Sequence, residues 1–194
     1  KISDKKINEI KSIEGVKDAW GDVLGFAQFI KFGPRKDCHA FNPECERETI
    51  LIQNGFAPTF GAAWDTSPYA SQWEIIDGQP PTNNKEVVMD STTAEGNSFT
   101  VGDRVTVLAG AIPATFTIVG IAEFANTGSP GGASFALFDF RTAQILLDSI
   151  GEVDFINVVV DENADINSVR NAIANIDDQG LEVINAQEAA AEQA

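Results

Sequence analysis

Histidine is nearly absent from this chain: His39 is the single one among 194 residues. Ser-His-Asp and Cys-His centres need an imidazole or another base held beside the nucleophile. His39 adjoins Cys38 in the run KDCHAFNPECERE, so catalysis of that kind has no separate base to draw on. Positive charge is scarce too: 13 Lys and Arg stand against 29 Asp and Glu, a formal net charge of −16. A field of that sign repels phosphate backbones and anionic lipid head groups, which argues against nucleic acid as a partner. It leaves a solvated acidic surface, or attraction to a basic partner or peptide. Long apolar runs are missing as well. No stretch approaches the about 18 consecutive apolar residues of a membrane helix, and no secretory leader is visible. The Gly-rich run NTGSPGGA, residues 126–133, lacks the pattern G-x-x-x-x-G-K-[ST], so it is read as a surface loop and not a phosphate cradle.

Cysteine occurs twice, at Cys38 and Cys45. A disulfide closing this short loop implies an oxidising, exported location. A Cys-His-Cys metal site through His39 is the alternative, but a structural zinc site takes four ligands at finger-like spacing. The disulfide Cys38–Cys45 is the expectation, adding about 2–3 kcal/mol in the chain-entropy model and pinning its loop. The run DENADIN places Asp161, Asn163, Asp165 and Asn167 at alternate positions, as a calcium loop would. An EF-hand then needs Gly at its sixth position and Glu at its twelfth; Ile166 and Ala172 stand there. Asp165 or Asn163 is therefore expected to cap a helix. No metal, cofactor or catalytic residue is expected. Among 29 acids nothing singles out a pair such as Glu86 and Asp90.

What the chain does hold is material for a large core. Apolar residues make up 43%, with 13 Phe and three Trp, and charged residues 22%, the balance of a folded domain. Ser3 is expected to cap a helix carrying Ile7, Ile10 and Ile13 and ending at Gly15. Residues 16–32 predict one long strand or two, interrupted near Gly21 or Gly25. A strand follows over 49–53. Residues 54–73 mix Gly, Pro and Ser with Phe56, Phe60, Trp64, Tyr69 and Trp73 and fit no period. Those aromatics either anchor the segment to its own core or offer a partner-binding surface. Residues 75–81 are expected to turn the chain. Further on, 134–138 predicts a strand, and Ala143, Leu146, Leu147 and Ile150 the buried face of a helix. Residues 155–160 predict a strand covered on both faces. Ile166, Val169, Ile173 and Ile176 give another helical face, 181–184 a returning strand, and Asn185 with Glu188 the start of a last helix.

The middle of the chain is its most ordered pattern. Residues 86–124 hold EVVMD, a Thr-Thr-Ala turn, VGDRVTV and TFTIVGIAEF. Period-two alternation there predicts half-buried strands, the last two joined by a hairpin loop over 110–113. In this order the stretch resembles the extracytoplasmic core domain of ABC-transporter permeases of the MacB/FtsX type. Ile13-Glu14-Gly15-Val16 resembles that family's I-x-G-V, Asp77-Gly78-Gln79-Pro80 its G-x-x-P, and 155–161 with the helix after it its closing unit. The cysteine loop and 54–73 match none of the family's motifs.

The pattern and the resemblance together predict an α+β fold of two lobes. Residues 1–53 with 153–194 would form a porter-like α/β lobe, and 54–152 an inserted strand-rich lobe. The resemblance implies a domain lying outside the cytoplasm between two membrane helices, with its polar helical ends at Ser3–Ile13 and from Ala186 onward continuous with them. It implies a separate ATP-binding subunit, no catalysis in this domain, and coupling of ATP hydrolysis to export or to regulation of an extracellular protein, peptide or lipoprotein. It leaves room for a homodimer of the full permease. A free-standing secreted binding module or acid hydrolase is the alternative.

Overall fold

Where apolar and polar residues alternate, the chain builds sheet; where Asp meets a free N–H triplet, it starts a helix. In the computed structural model, which describes residues 1–35, 47–55, 57–70, 72–110, 112–125, 128–176 and 181–185, the order of elements is as follows. β1 (Ile2–Ser3), α1 (Lys5–Lys11), β2 (Val16–Asp22), β3 (Leu24–Phe26), β4 (Gln28–Arg35) and β5 (Arg47–Ile52) come first. β6 (Thr59–Ala63), β7 (Trp73–Gly78), β8 (Glu86–Asp90), α2 (Ser91–Asn97), β9 (Arg104–Ala109) and β10 (Ile112–Phe124) follow. A 3₁₀ turn at Pro130–Gly132, β11 (Ser134–Phe138), α3 (Phe140–Leu146), β12 (Glu152–Val153), β13 (Phe155–Val160) and α4 (Ile166–Ala174) complete the described chain. Cys38, Cys45, His39, Phe56 and the last helix lie outside the described residues.

The fold is α+β. A mixed nine-stranded sheet runs β3-β6-β11-β8-β10-β9-β4-β5, with β7 on β10. Its parallel pairs are β8–β10 and β6–β11. β13 and β2 form a separate antiparallel pair, as do β1 and β12. One face of the large sheet carries the main core: Phe29, Val87, Met89, Val107, Ile118 and Phe138 are all fully buried. Phe116 and Phe138 meet there with ring centroids 5.0 Å apart, and Ala143 of α3 packs onto them. A second cluster, Ile10, Ala19, Val169 and Ile173, holds α1 and α4 against β2. A third, around Val88, Ala122 and Leu137, lies on the other side of the large sheet.

Several expectations need correction. The strand over 16–32 is three strands, broken at Val23 and Ala27 and not at a glycine. Ala63 N–H bonds Val23 O and Ala27 N–H bonds Thr59 O, so the chain leaves β2's sheet and joins the large one there. Asp4, not Ser3, precedes α1, and it makes no side-chain cap bond, because its carboxylate is engaged by Gln144. The Thr-Thr-Ala turn is helix α2, capped by Asp90. Residues 75–81 are mostly strand β7, and the unassigned 54–73 contains β6. α3 stops at Leu146 because Asp148 takes a φ of +52°, which leaves Ile150 exposed. Among the described residues β13 has a single sheet partner, and none of its own residues is fully buried. Residues 181–185 form no strand; only Val183 leans on the α1–α4 cluster.

Candidate functional site

The beginning of the chain is tied down by its own first four residues. Ile2 pairs with Val153 and Ser3 with Glu152. Lys1 Nζ donates to Ser149 Oγ at 2.6 Å and meets Asp154 Oδ1 at 2.8 Å. Asp4 N–H bonds Gly151 O at 3.0 Å. Behind this tether sits Gln144 of α3, 1% exposed, whose amide donates to Asp4 Oδ2 and Glu152 O, both at 3.0 Å. Gln144→Leu would remove the amide donor from the Glu152 carbonyl and from Asp4 Oδ2, which would keep, among the described residues, only Arg141 Nη1 at 3.9 Å. We expect it to cost about 1–2 kcal/mol, from the loss of two part-buried hydrogen bonds, one of them to a carboxylate. Urea unfolding would give the loss, and hydrogen exchange at residues 1–4 should rise with it.

A second junction joins β2 to the segment 64–70 that leaves β6. Side chains alternate along β2. Ala19 and Gly21 face inward, and a Cβ on Gly21 would fall 2.6 Å from Val153 Cγ1. The other face carries Asp18, Trp20 and Asp22. Ser67 Oγ donates to Asp18 Oδ2 at 2.6 Å, while Lys11 Nζ meets Asp18 Oδ1 at 2.8 Å. Lys17 Nζ lies 5.0 Å from the centroid of the Tyr69 ring, a cation–π contact. Asn157 of β13 donates to Asp22 Oδ2 at 2.7 Å. Lys11 and then Ser67 hold the Asp18 carboxyl below its ordinary value. Burial raises Asp22. Asp65 is pushed up to about 7, first by burial and then by the charge of Asp22, with the Trp20 indole acting the other way. The indole Nε1 of Trp20 is buried without a fully formed hydrogen bond.

The aromatic residues singled out in 54–73 divide between these places. Phe60 stacks on Phe26 and tilts against Phe135, with centroids 5.5 Å apart in both pairs. Trp73 meets Phe124 and Phe135, each at 5.2 Å. Trp64 packs beside them in the third cluster. These rings form a ladder across neighbouring strands, because Phe26, Phe60 and Phe135 are direct cross-strand partners. Phe26 at its end is 78% exposed. Tyr69 stands apart, at the β2 junction, and is also exposed.

The DENADIN run opens α4. Asp165 accepts from Asn167 N at 3.3 Å and Ser168 N at 3.2 Å, and from the Ser168 hydroxyl, so its carboxylate is spent on the cap. Among the described residues, no three metal-ligating side chains gather in one place. A shallow groove of about 950 Å³ lies beside this turn, lined by Ile13, Gly15, Lys17 and Ala164 among others.

A sequence model of the MacB-like periplasmic core domain matches residues 36–176, well over half of the chain. The chain belongs to that family. It is thus an extracytoplasmic domain of an ABC transporter permease, a family whose domain is generally non-catalytic and whose permeases carry membrane helices and work with an ATPase. The extracellular domain of the noncanonic ABC-type transporter YknZ from Gram-positive bacteria has the same fold: TM-score 0.57, 16% identity, covering 90% of this chain and 81% of that one. The periplasmic region of MacB from Actinobacillus actinomycetemcomitans matches at TM-score 0.57 and 11% identity, covering 91% of this chain and 72% of that one. A permease-protein domain from Porphyromonas gingivalis matches at 0.56 and 15%, covering 93% and 72%. A comparison with curated protein sequences finds no match. No helix among the described residues of this MacB-like domain is long and apolar enough to cross a membrane.

The tether and the carboxyls of the β2 junction were not legible as sites in the sequence of this MacB-like domain. One signal was there for the second: Asp18, Trp20 and Asp22 at spacing two on a strand, and a lone Asp65 inside the apolar run GAAWD.

Proposed function

We propose that this MacB-like domain couples ATP hydrolysis on a separate cytoplasmic subunit to export, or to regulation of an extracellular protein, peptide or lipoprotein, with no catalysis of its own. The observation that carries this reading is the tether of residues 1–4. Backbone pairing, an ion pair and the buried Gln144 amide fix the chain's first residues to the segment that feeds β13. A displacement arriving along that first segment is therefore delivered to β13 and α3 together, and not absorbed in a loose linker. Ser3–Ile13 and the stretch from Ala186 onward would act as levers joined to membrane helices.

The two-lobe division also remains our proposal, with its first boundary moved. The terminal lobe would hold α1, β2, β13 and α4, while β3, β4 and β5 bond into the large sheet and belong with the inserted lobe. The Cys38–Cys45 disulfide would pin the loop between β4 and β5.

In the intact permease, Lys1→Ala combined with Gln144→Leu should uncouple the two activities. ATP hydrolysis continues while export or partner activation falls. Output and hydrolysis both unchanged would overturn the reading. Apolar runs of about 20 residues flanking this chain in its gene are a further requirement.

A further inference from the structure

We propose that the free edge of β7 takes an extended segment of an extracellular protein partner as an added strand, and that this segment alternates apolar residues with Lys or Arg. This edge gives the partner of the reading above its chemistry, and its purpose rests on that reading.

β7 bonds β10 along one edge, and no described strand takes its other edge. The pairing fixes which backbone groups are left over. Ala125 N–H bonds Gln72 O at 2.7 Å, and Glu74, two residues on, stands opposite Glu123. Hydrogen-bonded and non-bonded pairs alternate along an antiparallel ladder. The N–H and C=O groups of Trp73 and Ile75 therefore point away from β10. Among the described residues no backbone bond from elsewhere reaches them. Groups left open in this way are a template for a further strand. The register of the β7–β10 pair shifts only beyond Ile75, so the template is short.

Side chains choose the occupant. Trp73 and Ile75 are half-buried on the face of the third apolar cluster, where Trp73 meets Phe124 and Phe135 at 5.2 Å each. Apolar side chains on the added strand would extend their cover. On the opposite face Glu74 is exposed and stands directly across from Glu123. Like charges so placed repel. Among the described residues the ion pairs are those of Lys1, Lys11 and Arg141 with other carboxylates, and none serves Glu74, Glu123 or the exposed Asp77. A Lys or Arg next to Glu74 on the added strand would offset that repulsion. The same groups argue against a second copy of this chain. Two β7 edges would set Glu74 and Asp77 against their own kind, between chains of net charge −16 each.

Titration of the ¹⁵N-labelled 194-residue chain with a capped peptide of about eight residues, alternating lysine and valine, gives the test. No ATP or membrane takes part, so failure here is distinct from failure of the coupling reading. Amide shifts and slowed hydrogen exchange are expected at Trp73 and Ile75. Three control peptides separate an added strand from plain charge attraction: the same peptide with every backbone N–H methylated, an isomer with its lysines grouped at one end, and an alternating glutamate–valine peptide. Each should bind about tenfold more weakly or worse. Glu74→Lys, at an exposed position, should keep the urea midpoint and weaken the lysine–valine peptide about tenfold. Equal binding of the methylated or grouped peptide, shifts centred away from residues 73–77, or no binding at about 1 mM peptide would overturn the docking edge.

Discussion

Asp90→Ala should lower the unfolding free energy by about 3–4 kcal/mol, a large share of the roughly 5–15 kcal/mol a domain has. Asp90 is 0% exposed and each of its oxygens is already engaged. Oδ1 accepts the Thr93 N–H at 2.8 Å, capping α2, and Oδ2 accepts the Phe135 N–H of β11 at 2.7 Å. The carboxylate therefore ties β8, the helix after it and the next strand of the sheet at one point. Thr93 extends the network, donating to Ser134 Oγ at 2.8 Å and accepting from Asn54 at 2.9 Å. Alanine orphans two buried donors, each costing about 1–3 kcal/mol, less the relief of no longer burying a charge. Asn is not a rescue. It offers one oxygen, so its amide group must face one of the two N–H donors, and a loss of about 2 kcal/mol is expected. Urea unfolding of both variants decides. A loss below about 1 kcal/mol for alanine would mean the cap is dispensable.

The direction of the Asp90 shift adds a pH statement. Burial raises its pKa, outweighing the hydrogen bonds from Phe135 and Thr93. A carboxyl that holds its proton more tightly when folded contributes most below its ordinary pKa, and that contribution is lost as pH rises through the folded value. Asp90 is thus not the group that unfolds this domain in acid.

These features also mark how far the sequence could be read. β8, β9 and β10 were legible because their inward residues, such as Val87, Met89, Val105, Val107, Phe116 and Ile118, are apolar and alternate or run together. β6 was not, because its inward positions are Thr59 and Gly61, and no apolar period can show there. Gly61 is small for a tertiary reason: a Cβ would come 3.1 Å from both Ala27 Cβ and Leu147 Cδ2. α2 has sequence STTAEGN and no apolar stripe; its helix rests on the Asp90 cap and on burial of Thr93 and Ala94. The apolar run of β13 suggested cover on both faces. It packs instead against the α1–α4 cluster, half-buried throughout except for the exposed Phe155. The β2 junction itself could not be read because Asp18 and Ser67 lie 49 positions apart, and only the fold brings them to 2.6 Å.

Gly78→Ala should cost about 3 kcal/mol or more, and Gly102→Ala about 1–2. Both glycines have positive φ, +78° and +99°, so any side chain is strained at either. Their surroundings differ. Nothing lies within 4 Å of a Cβ on Gly102, whereas one on Gly78 would fall 2.2 Å from Val119 O and 3.0 Å from Gly120 Cα. Gly78 and Gly120 are cross-strand partners at the point where β7 takes over from β9 along one edge of β10. β8 binds the opposite edge there, with a register irregularity between Ile118 and Gly120. The obstructing atom is backbone and cannot rotate away. The carbonyl is also the acceptor for Gln79 N–H at 2.9 Å, so pushing it aside breaks the bond that closes β7. Strain alone predicts equal losses for the two variants; backbone overlap predicts a difference of about 1–2 kcal/mol. Equal midpoint shifts in urea would remove close approach as the reason for glycine at position 78.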